Sequence, residues 1–498
     1  MANYLFLFLF AICISSQTIA NTETWIPFDA IELSEREAGI LEKLTALSEA
    51  ELHRDMVYLS GLGATDIVEL AIRQGLLSPD TGLEYTLLTA AATHGRLETI
   101  KMLVARGADF ELRDSSQDTP LKAAARAGQL EVINYLLSRG ADPDREGKKG
   151  TTPLTSATYG GHKEVIDALL KNGASIKPND AHWTPVHYAA RYGHSELIDY
   201  FIDKGIDIDL RTDYGWTALA MAANNGHNAA VNRLLFHKAN INSPTNKRRT
   251  PLMLASKKGF INTVEILLDS SSRIDLEDEK GRSALWWAAL RGHEQIVKLL
   301  LQKKAKANSA VALFAKEGDL QSLDLLTSTG VSLTVANEKG MTGLHIAARH
   351  GNLEVVKMYL QQGLDIHTTD NKGYIALHRA SSYGKTQVAR YLLAQGSDPN
   401  WAGQPNQWTP VSMAARYGHL NILKMLHQRG GDLNSVTNKG WSPLMLAARG
   451  KHPSVAEYLL ANDVDEKLQN NRSQTAAEIA DKYQQQSIIE LLSASTTD

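Results

Sequence analysis

The chain has 498 residues, of which 43% are apolar, 21% charged and 7% aromatic; this composition excludes an intrinsically disordered chain, a collagen and a membrane-embedded bundle. Lys and Arg number 52 and Asp and Glu 55, which gives a net charge of −3, so the charge of the whole chain does not indicate nucleic acid, a membrane surface or an acidic substrate as partner. The single cysteine excludes an intrachain disulfide framework and a cysteine-based zinc site.

The first twenty residues have the pattern of a secretory signal. Residues 4–14 are all apolar, and they reach about half the length that a helix needs to cross a bilayer. We predict a signal peptide at 1–20 with cleavage after Ala20, although the segment carries no Lys or Arg; an uncleaved anchor or a buried first helix is the alternative. Because Cys13 lies in this segment, the mature chain would lack cysteine. We expect it to be periplasmic or secreted, without a membrane span.

Residues 21–75 are predicted to be helical and to precede a long repetitive region. Residues 21–54 form an acidic, helical lead-in, and residues 56–75 have the apolar spacing of a helix that packs on one side. The predicted division is a first array at 55–303, which includes an N-terminal cap, and a second array at 304–492, which ends in a C-terminal cap. A short tail follows at 493–498.

A period of about 33 residues governs the chain after residue 50. We call the residue at the proline position of each Thr-Pro-like pair the anchor of its repeat. The anchors are Leu87, Pro120, Pro153, Pro185, Ala218, Pro251, Ala284, Ala310, Gly343, Ala376, Pro410, Pro443 and Ala476. One unit reads WTPVHYAARYGH from Trp183, and another reads MTGLHIAARHG from Met341.

Each unit encodes two helices and a projecting turn. Thr before Pro supplies an N-cap and a proline at the first helical position, and a glycine such as Gly193 ends this first helix. The Ala189-Ala190 pair permits close packing, while paired apolar residues such as Val132-Ile133 give the second helix one buried face. A turn such as 371–373 predicts a hairpin, which we call the finger. No unit buries its own apolar faces, so the units must stack.

These residues resemble the ankyrin repeat. The resemblance covers about 440 residues in about thirteen copies. It implies an all-α ankyrin-repeat solenoid that binds proteins through the fingers and the exposed concave side of the first helices.

The repeat spacing is irregular at one place, between Ala284 and Ala310. The sequence at 303–308 replaces the usual glycine, turn and hairpin, which predicts one missing finger and a break in surface continuity; a tolerated deletion without functional meaning is the alternative. Trp286 and Trp287 come shortly before it, and we expect them to fill the space that the deletion opens. A binding role for the two tryptophans is the minor alternative.

Motifs that carry catalysis or cofactors are missing from the sequence. No phosphate-binding loop, nucleophile elbow or HExxH pattern occurs. Nine of the 16 histidines recur at two fixed positions of the repeat, where histidines of the ankyrin family bond to backbone between repeats. The sequence therefore predicts no catalytic residue, no metal site and no cofactor.

Two columns of residues predict a binding surface. The fingertip column, two residues before each anchor, contains four of the eight tryptophans; packing on a neighbouring finger is the alternative reading. The basic column, six residues after each anchor, is Lys or Arg in eight of thirteen repeats and never acidic, and aromatic residues often follow it. We predict that the partner-binding residues are Trp183, Arg191, Tyr192, Trp216, Lys257, Arg349, Tyr383, Trp408, Arg416, Tyr417, Trp441 and Arg449.

The sequence thus favours a non-catalytic protein-interaction scaffold whose partner presents an acidic surface. We expect the chain to be monomeric and not to bind nucleic acid. A recognition module for an anionic glycan or phospholipid is the first alternative, and an enzyme whose site forms only in three dimensions is the second.

Overall fold

Pairs of helices build both compact units of the protein, Met1–Asn246 and Lys247–Asp498. The structure is a computed structural model, of which we describe residues 35–80, 86–462 and 464–495. The predicted signal peptide and the lead-in up to residue 34 lie outside the described residues. The predicted boundary between residues 303 and 304 lies inside the second unit and stays a prediction.

The described helices of the first unit run from residue 35 to residue 236. They are α1 (Glu35–Thr45), α2 (Glu49–Leu62), α3 (Thr65–Arg73), α4 (Leu87–Thr93), α5 (Leu97–Ala105), α6 (Pro120–Ala127), α7 (Leu130–Ser138), α8 (Pro153–Gly160), α9 (Lys163–Lys171), α10 (Pro185–Tyr192), α11 (Ser195–Asp203), α12 (Ala218–Asn225) and α13 (Asn228–Phe236), with a 3-10 helix at Lys148–Gly150.

The described helices of the second unit run from residue 251 to residue 495. They are α14 (Pro251–Lys258), α15 (Ile261–Asp269), α16 (Ala284–Leu290), α17 (Glu294–Gln302), α18 (Asn308–Glu317), α19 (Leu320–Ser328), α20 (Gly343–His350), α21 (Leu353–Gln361), α22 (Ala376–Ser382), α23 (Thr386–Ala394), α24 (Pro410–Tyr417), α25 (Leu420–Gln428), α26 (Pro443–Gly450), α27 (Pro453–Leu460), α28 (Ala476–Lys482) and α29 (Gln486–Ser495). None of the helices in the described part of the chain is both long and apolar enough for a bilayer span.

The first helix of nearly every repeat begins at its predicted anchor, because the residue before the anchor caps it. Twelve of the thirteen anchors are the first residue of a helix. Thr184 is extended, with φ −112° and ψ 166°, and forms a capping box with His187. The same helix, α10, ends at Gly193, whose φ of 84° is a left-handed conformation that disfavours other residues. An added Cβ at Gly193 would also meet the ring of His227.

The core lies between successive helix pairs within each unit. Helix α10 packs against α8 and α12, the first helices of the neighbouring repeats. Ala189 and Ala190 are fully buried in this contact, which explains the recurring alanine pair. The second helices contribute one apolar stripe each, such as Val132, Ile133 and Leu136 of α7. Stacking therefore buries the faces that no single repeat covers.

The fingers are connected to one another by backbone hydrogen bonds. In the finger at 370–374, the N–H of Gly373 donates to the carbonyl of Asp370 at 2.9 Å, which closes the predicted turn. The N–H of Asn371 donates to the carbonyl of Lys339, in the preceding finger, at 3.1 Å. Equivalent bonds join Asn438 to Asn406 at 3.1 Å and Asn471 to Lys439 at 3.0 Å. These contacts hold neighbouring fingertips in register.

The finger predicted to be missing is absent between α17 and α18, where residues 303–307 connect the two helices directly. The helix start predicted at the anchor Ala310 is wrong by two residues, because α18 begins at Asn308. The helix still ends at Gly318, eight residues after the anchor, so the position of Lys316 in the repeat is unchanged. No Thr-Pro pair fixes the start of this helix, and Ala307 before it makes no side-chain cap. The ring of Trp286 stacks on that of Phe314 of α18, with 5.3 Å between centroids and 8° between planes. Trp286 thus fills space beside the short connection, as expected.

Both ends of the repeat region differ slightly from the prediction. Residues 56–75 were expected to form one degenerate cap, but α2 begins at Glu49 and pairs with α3, so this helix pair crosses the predicted boundary at residue 54. At the other end, α28 and α29 form the predicted last pair. Helix α29 continues to Ser495, into the segment that was predicted to be a tail.

Candidate functional site

Fingertip and basic-column side chains of the same repeat touch each other. In the first unit, the guanidinium of Arg191 lies 5.6 Å from the ring centroid of Trp183 and 5.7 Å from that of Tyr192. Tyr192 is 37% exposed and packs edge-to-face on Tyr159, with centroids 4.3 Å apart. Trp183 also contacts Tyr188 at 5.1 Å, and burial raises the pKa of the Tyr188 hydroxyl to about 12. The structure therefore brings Trp183, Arg191 and Tyr192 together as one patch.

Trp216 takes the same fingertip position in the next repeat and is half-buried. Its backbone N–H donates to the hydroxyl of Thr212 at 3.2 Å, which fixes the turn of its finger. The column position that follows in this repeat is Asn224, so Trp216 has no basic-column partner of its own. Among the described contacts of the first unit, no ring or cation–π contact connects Trp216 with the patch formed by Trp183, Arg191 and Tyr192.

Lys257 belongs to a cluster of cations around Trp287 in the second unit. The Nζ of Lys257 lies 4.7 Å from the ring centroid of Trp287, and the guanidinium carbons of Arg249 and Arg282 lie at 4.6 Å and 4.4 Å. Burial lowers the pKa of the Lys257 ammonium, and the nearby Arg249 lowers it further. The contact adds a cation–π attraction that is strengthened by partial desolvation.

One buried carboxylate balances part of this charge. Asp278 accepts from Arg282 at 2.8 Å and lies 3.7 Å from Arg249. Burial opposes ionisation of Asp278, but the hydrogen bonds from Arg282 and Lys280, together with the charge of Arg282, lower the pKa of the carboxyl. Trp286 and Trp287 stood out in the sequence, but this cluster was not predicted. Arg249 and Arg282 stand in the fingertip column next to them, and that was the available signal.

Arg349 and Tyr383 form the next predicted contact. The guanidinium of Arg349 lies 4.6 Å from the ring centroid of Tyr383, which belongs to the following repeat and is 43% exposed. Burial and the positive charges of Arg349, Lys316 and Lys385 all lower the pKa of the neighbouring His350. The basic column is thus strongly electropositive at this point of the second unit.

The remaining predicted residues lie in two successive repeats near the end of the second unit, those anchored at Pro410 and Pro443. Arg449 lies 5.0 Å from the ring centroid of Trp441. Trp408 and Trp441 line a cleft of about 240 Å³ together with Arg449. Tyr417 is 52% exposed, and Arg416 before it is half-buried. We call the surface formed by the fingertip column, the basic column and the aromatic residues that follow it the basic-aromatic face of each unit.

A sequence profile described as "Ankyrin repeats (3 copies)" matches the chain in overlapping segments at 56–147, 88–180, 140–212, 177–245, 219–311, 311–402, 395–470 and 411–498. The chain belongs to the ankyrin repeat family. Its fold is accordingly a solenoid of ankyrin repeats, and ankyrin repeats are generally protein–protein interaction modules, typically non-catalytic. Among solved structures, the ankyrin repeat domain of human ASB11 is similar at 26% identity and a TM-score of 0.41, over 44% of this chain and 99% of that chain. The comparison with curated proteins returned no match.

The histidines of these ankyrin repeats connect neighbouring repeats. At the position after the residue that ends the first helix, which is glycine in five repeats and Lys451 in the sixth, the ring Nε2 donates to a backbone carbonyl of the preceding repeat. The pairs are His162 with Arg126, His194 with Tyr159, His227 with Arg191, His293 with Lys257, His419 with Ser382 and His452 with Arg416, at 2.8–3.3 Å. These contacts confirm the structural role that the family resemblance implied.

Histidines at the second position, two residues after the anchor, are buried and hydrogen-bond to the following repeat. The Nε2 atoms of His187, His345 and His378 donate to the carbonyls of Leu210, Tyr374 and Trp408 at 2.9–3.0 Å. Burial lowers the pKa of His187 and of His378 to about 4. Among the described residues, no three His, Cys, Asp or Glu side chains form a group that could hold a metal ion.

In the ankyrin repeat anchored at Pro120, a lysine takes the second histidine position. Lys122 is buried, and its Nζ lies 2.6 Å from the carboxylate of Asp118 and 2.6 Å from the hydroxyl of Thr151. Arg126 of the basic column also pairs with Asp118, at 2.9 Å. The ammonium of Lys122 bonds forward to the next finger, as the histidine does elsewhere. The charge of Arg126 is consequently neutralised by a carboxylate of its own repeat.

Proposed function

We propose that this ankyrin repeat protein is a non-catalytic interaction scaffold that binds an acidic surface of a protein partner on its basic-aromatic face. The proposal rests on the basic column of the second unit, where most positions are cations without a carboxylate partner. Six of its eight positions are cations, namely Lys257, Lys316, Arg349, Arg416, Arg449 and Lys482. In the described part of the chain none of the six forms an ion pair with a carboxylate.

Unneutralised cations in a row repel one another, and the fold gains nothing from that repulsion. An acidic partner would remove it and would also be steered to the surface before contact. The aromatic neighbours support a protein as the partner, because Tyr, Trp and Arg are enriched among the residues that dominate binding energy. Tyr383 and Tyr417 combine large exposed rings with an adjacent arginine. The proposal retains export to the periplasm or the cell exterior and a monomeric chain.

The test is affinity capture from the native compartment with the chain that begins at Asn21. The face variant carries Arg349→Glu, Arg416→Glu and Arg449→Glu. A matched control reverses three exposed cations in the same unit, two in second helices and one directly after such a helix, Arg390→Glu, Lys424→Glu and Arg429→Glu. We expect one acidic protein to be recovered with the native chain and the control but lost with the face variant. Recovery of the same partner with all three would contradict the proposal.

An anionic glycan or phospholipid remains the second candidate, because cations without carboxylate partners suit any anion. This ligand would bind to the native chain at low ionic strength, would be lost in moderate salt, and would leave no protein in the capture experiment. The face variant would weaken it as well, so the identity of the captured material distinguishes the two candidates.

A further inference from the structure

Two adjoining clefts lie on the basic-aromatic face in the last repeats of the second unit. The smaller, of about 240 Å³, lies beside Trp408, Trp441 and Leu446. The larger, of about 530 Å³, is lined by Trp441, Arg472, Lys482 and Tyr483. Lys439, Trp441 and Arg449 line both clefts. The stacked pair of Trp441 and Arg449 therefore separates two compartments of one groove.

The larger cleft is positively charged. Its lining includes Lys439, Arg449, Arg472 and Lys482 and no carboxylate. The nearby Glu478 and Asp481 line a different cleft. In the described residues none of the four cations has a carboxylate within ion-pair distance. Elsewhere in the unit, the exposed Lys303 pairs with Asp269 at 2.8 Å. The groove thus has the charge that an anionic ligand requires.

The spacing of the cations restricts the shape of that ligand. Arg416, Arg449 and Lys482 take the same position in three successive repeats, the longest uninterrupted run of basic-column cations in the second unit. Their helices α24, α26 and α28 pack directly on one another, and packed helices lie about 8–10 Å apart. A ligand that meets all three cations must repeat its negative charge at about this distance.

A peptide in the polyproline II conformation has this repeat. It rises about 3.1 Å per residue with three residues per turn, so every third side chain returns to the same side after about 9 Å. A β-strand does not fit, because its side chains alternate between two sides and every third residue faces away. The flanking rings of Trp408 and Trp441 are the kind of aromatic walls against which polyproline II segments pack.

We propose that this groove and the basic column beside it bind an extended acidic peptide in the polyproline II conformation, with an acidic side chain at every third residue opposite Arg416, Arg449 and Lys482. Arg449 and Lys482 line the groove itself, and Arg416 continues the column in the preceding repeat. The inference rests on the proposed function, since it specifies which segment of an acidic partner the scaffold takes. It adds the conformation of that segment, its charge spacing and the repeats that hold it.

The probe is a fluorescent peptide of repeated Glu-Pro-Pro units, titrated with the full chain and followed by anisotropy. A second peptide has the same composition with its glutamates grouped together, and a third replaces Glu by Gln. We expect the Glu-Pro-Pro peptide to bind about tenfold more tightly than the grouped peptide, and the Gln peptide not to bind measurably. Arg449→Glu and Lys482→Glu should each weaken binding of the Glu-Pro-Pro peptide about three- to tenfold.

The matched control is Arg390→Glu, which reverses an exposed cation on helix α23, and it should leave binding unchanged. Equal affinity of the two glutamate peptides would overturn the inferred spacing. Absence of peptide binding, with capture of a protein that still depends on Arg349, Arg416 and Arg449, would overturn this inference but leave the proposed function standing. Binding of phosphatidylserine vesicles without binding of any peptide would overturn both.

Discussion

Mild acid should loosen the repeat that contains His187, because this histidine is buried in its neutral form. Its Nδ1 accepts from the N–H of Thr184 at 3.1 Å, and its Nε2 donates to the carbonyl of Leu210 at 3.0 Å. A second proton would have to occupy Nδ1 and would displace the bond from Thr184. Burial lowers the pKa of His187 from 6.5 to about 4. Protonation therefore favours the opened repeat.

The sign and size follow from linkage. Because the folded pKa lies below the unfolded value, the stability from neutral His187 is complete above pH 6.5 and is lost as the pH falls towards 4. The full shift corresponds to about 3 kcal/mol, and at pH 5 the loss is about 2 kcal/mol, or about 30-fold in the opening equilibrium.

Hydrogen exchange of the backbone amides in helix α10 measures this opening locally. After correction for the intrinsic exchange rate, protection should fall about 20-fold between pH 7 and pH 5, because a small part of the loss is already present at pH 7. The control is His187→Gln, whose amide can still donate to Leu210 but does not titrate in this range. Equal loss of protection in the native chain and in this variant, or no loss in the native chain, would refute the reasoning.

Three further substitutions test the packing. Gly343→Ala should destabilise the second unit by about 1–3 kcal/mol in urea unfolding, since the added Cβ overlaps the buried ring of Tyr359, and Tyr359→Leu in the same chain should recover part of the loss. Trp286→Ala should lower the free energy of unfolding by about 3–5 kcal/mol in the same measurement, because it empties the space beside the short connection. A decrease of less than about 1 kcal/mol would show that Trp286 does not fill this space. Gly193→Ala should lower the thermal midpoint of the first unit by straining a φ of 84°, and no change would show that the turn adapts.

Local signals in the sequence were enough to locate most of the helices. Thr184 and Pro185 determine where α10 starts, and Gly193 determines where it ends, so the repeat can be recognised without tertiary information. At Ala310 only the helix start was wrong, because the period fixes the register of the repeat but does not show how many residues precede the anchor in this helix. Helix α18 instead starts at Asn308, where the chain emerges from the short connection.

The contacts of the candidate site were harder to predict, because they join residues of different repeats. The three cations around Trp287 come from two neighbouring repeats, and the buried Asp278 that holds two of them lies in a turn. Sequence columns show which residue types recur, but they do not show which of them are neutralised. Arg126 and Arg449 stand in the same column, yet only Arg126 has a carboxylate partner among the described residues.

This difference separates structural cations from candidate binding cations. Where a column residue is used by the fold, a partner is close by, as Asp118 is for Arg126 at 2.9 Å. The other repeated positions are also committed: the histidines bond between repeats, the alanines pack and the glycines turn the chain. Arg416, Arg449 and Lys482 each lie in the last turn of their helix, where a cation favours the helix dipole, and Arg449 also packs on Trp441. In the described residues, however, no carboxylate balances their charges, and the three cations repel one another across packed helices. A ligand that carries negative charge with the period of the repeat would neutralise all three at once, which no ion pair among the described residues does.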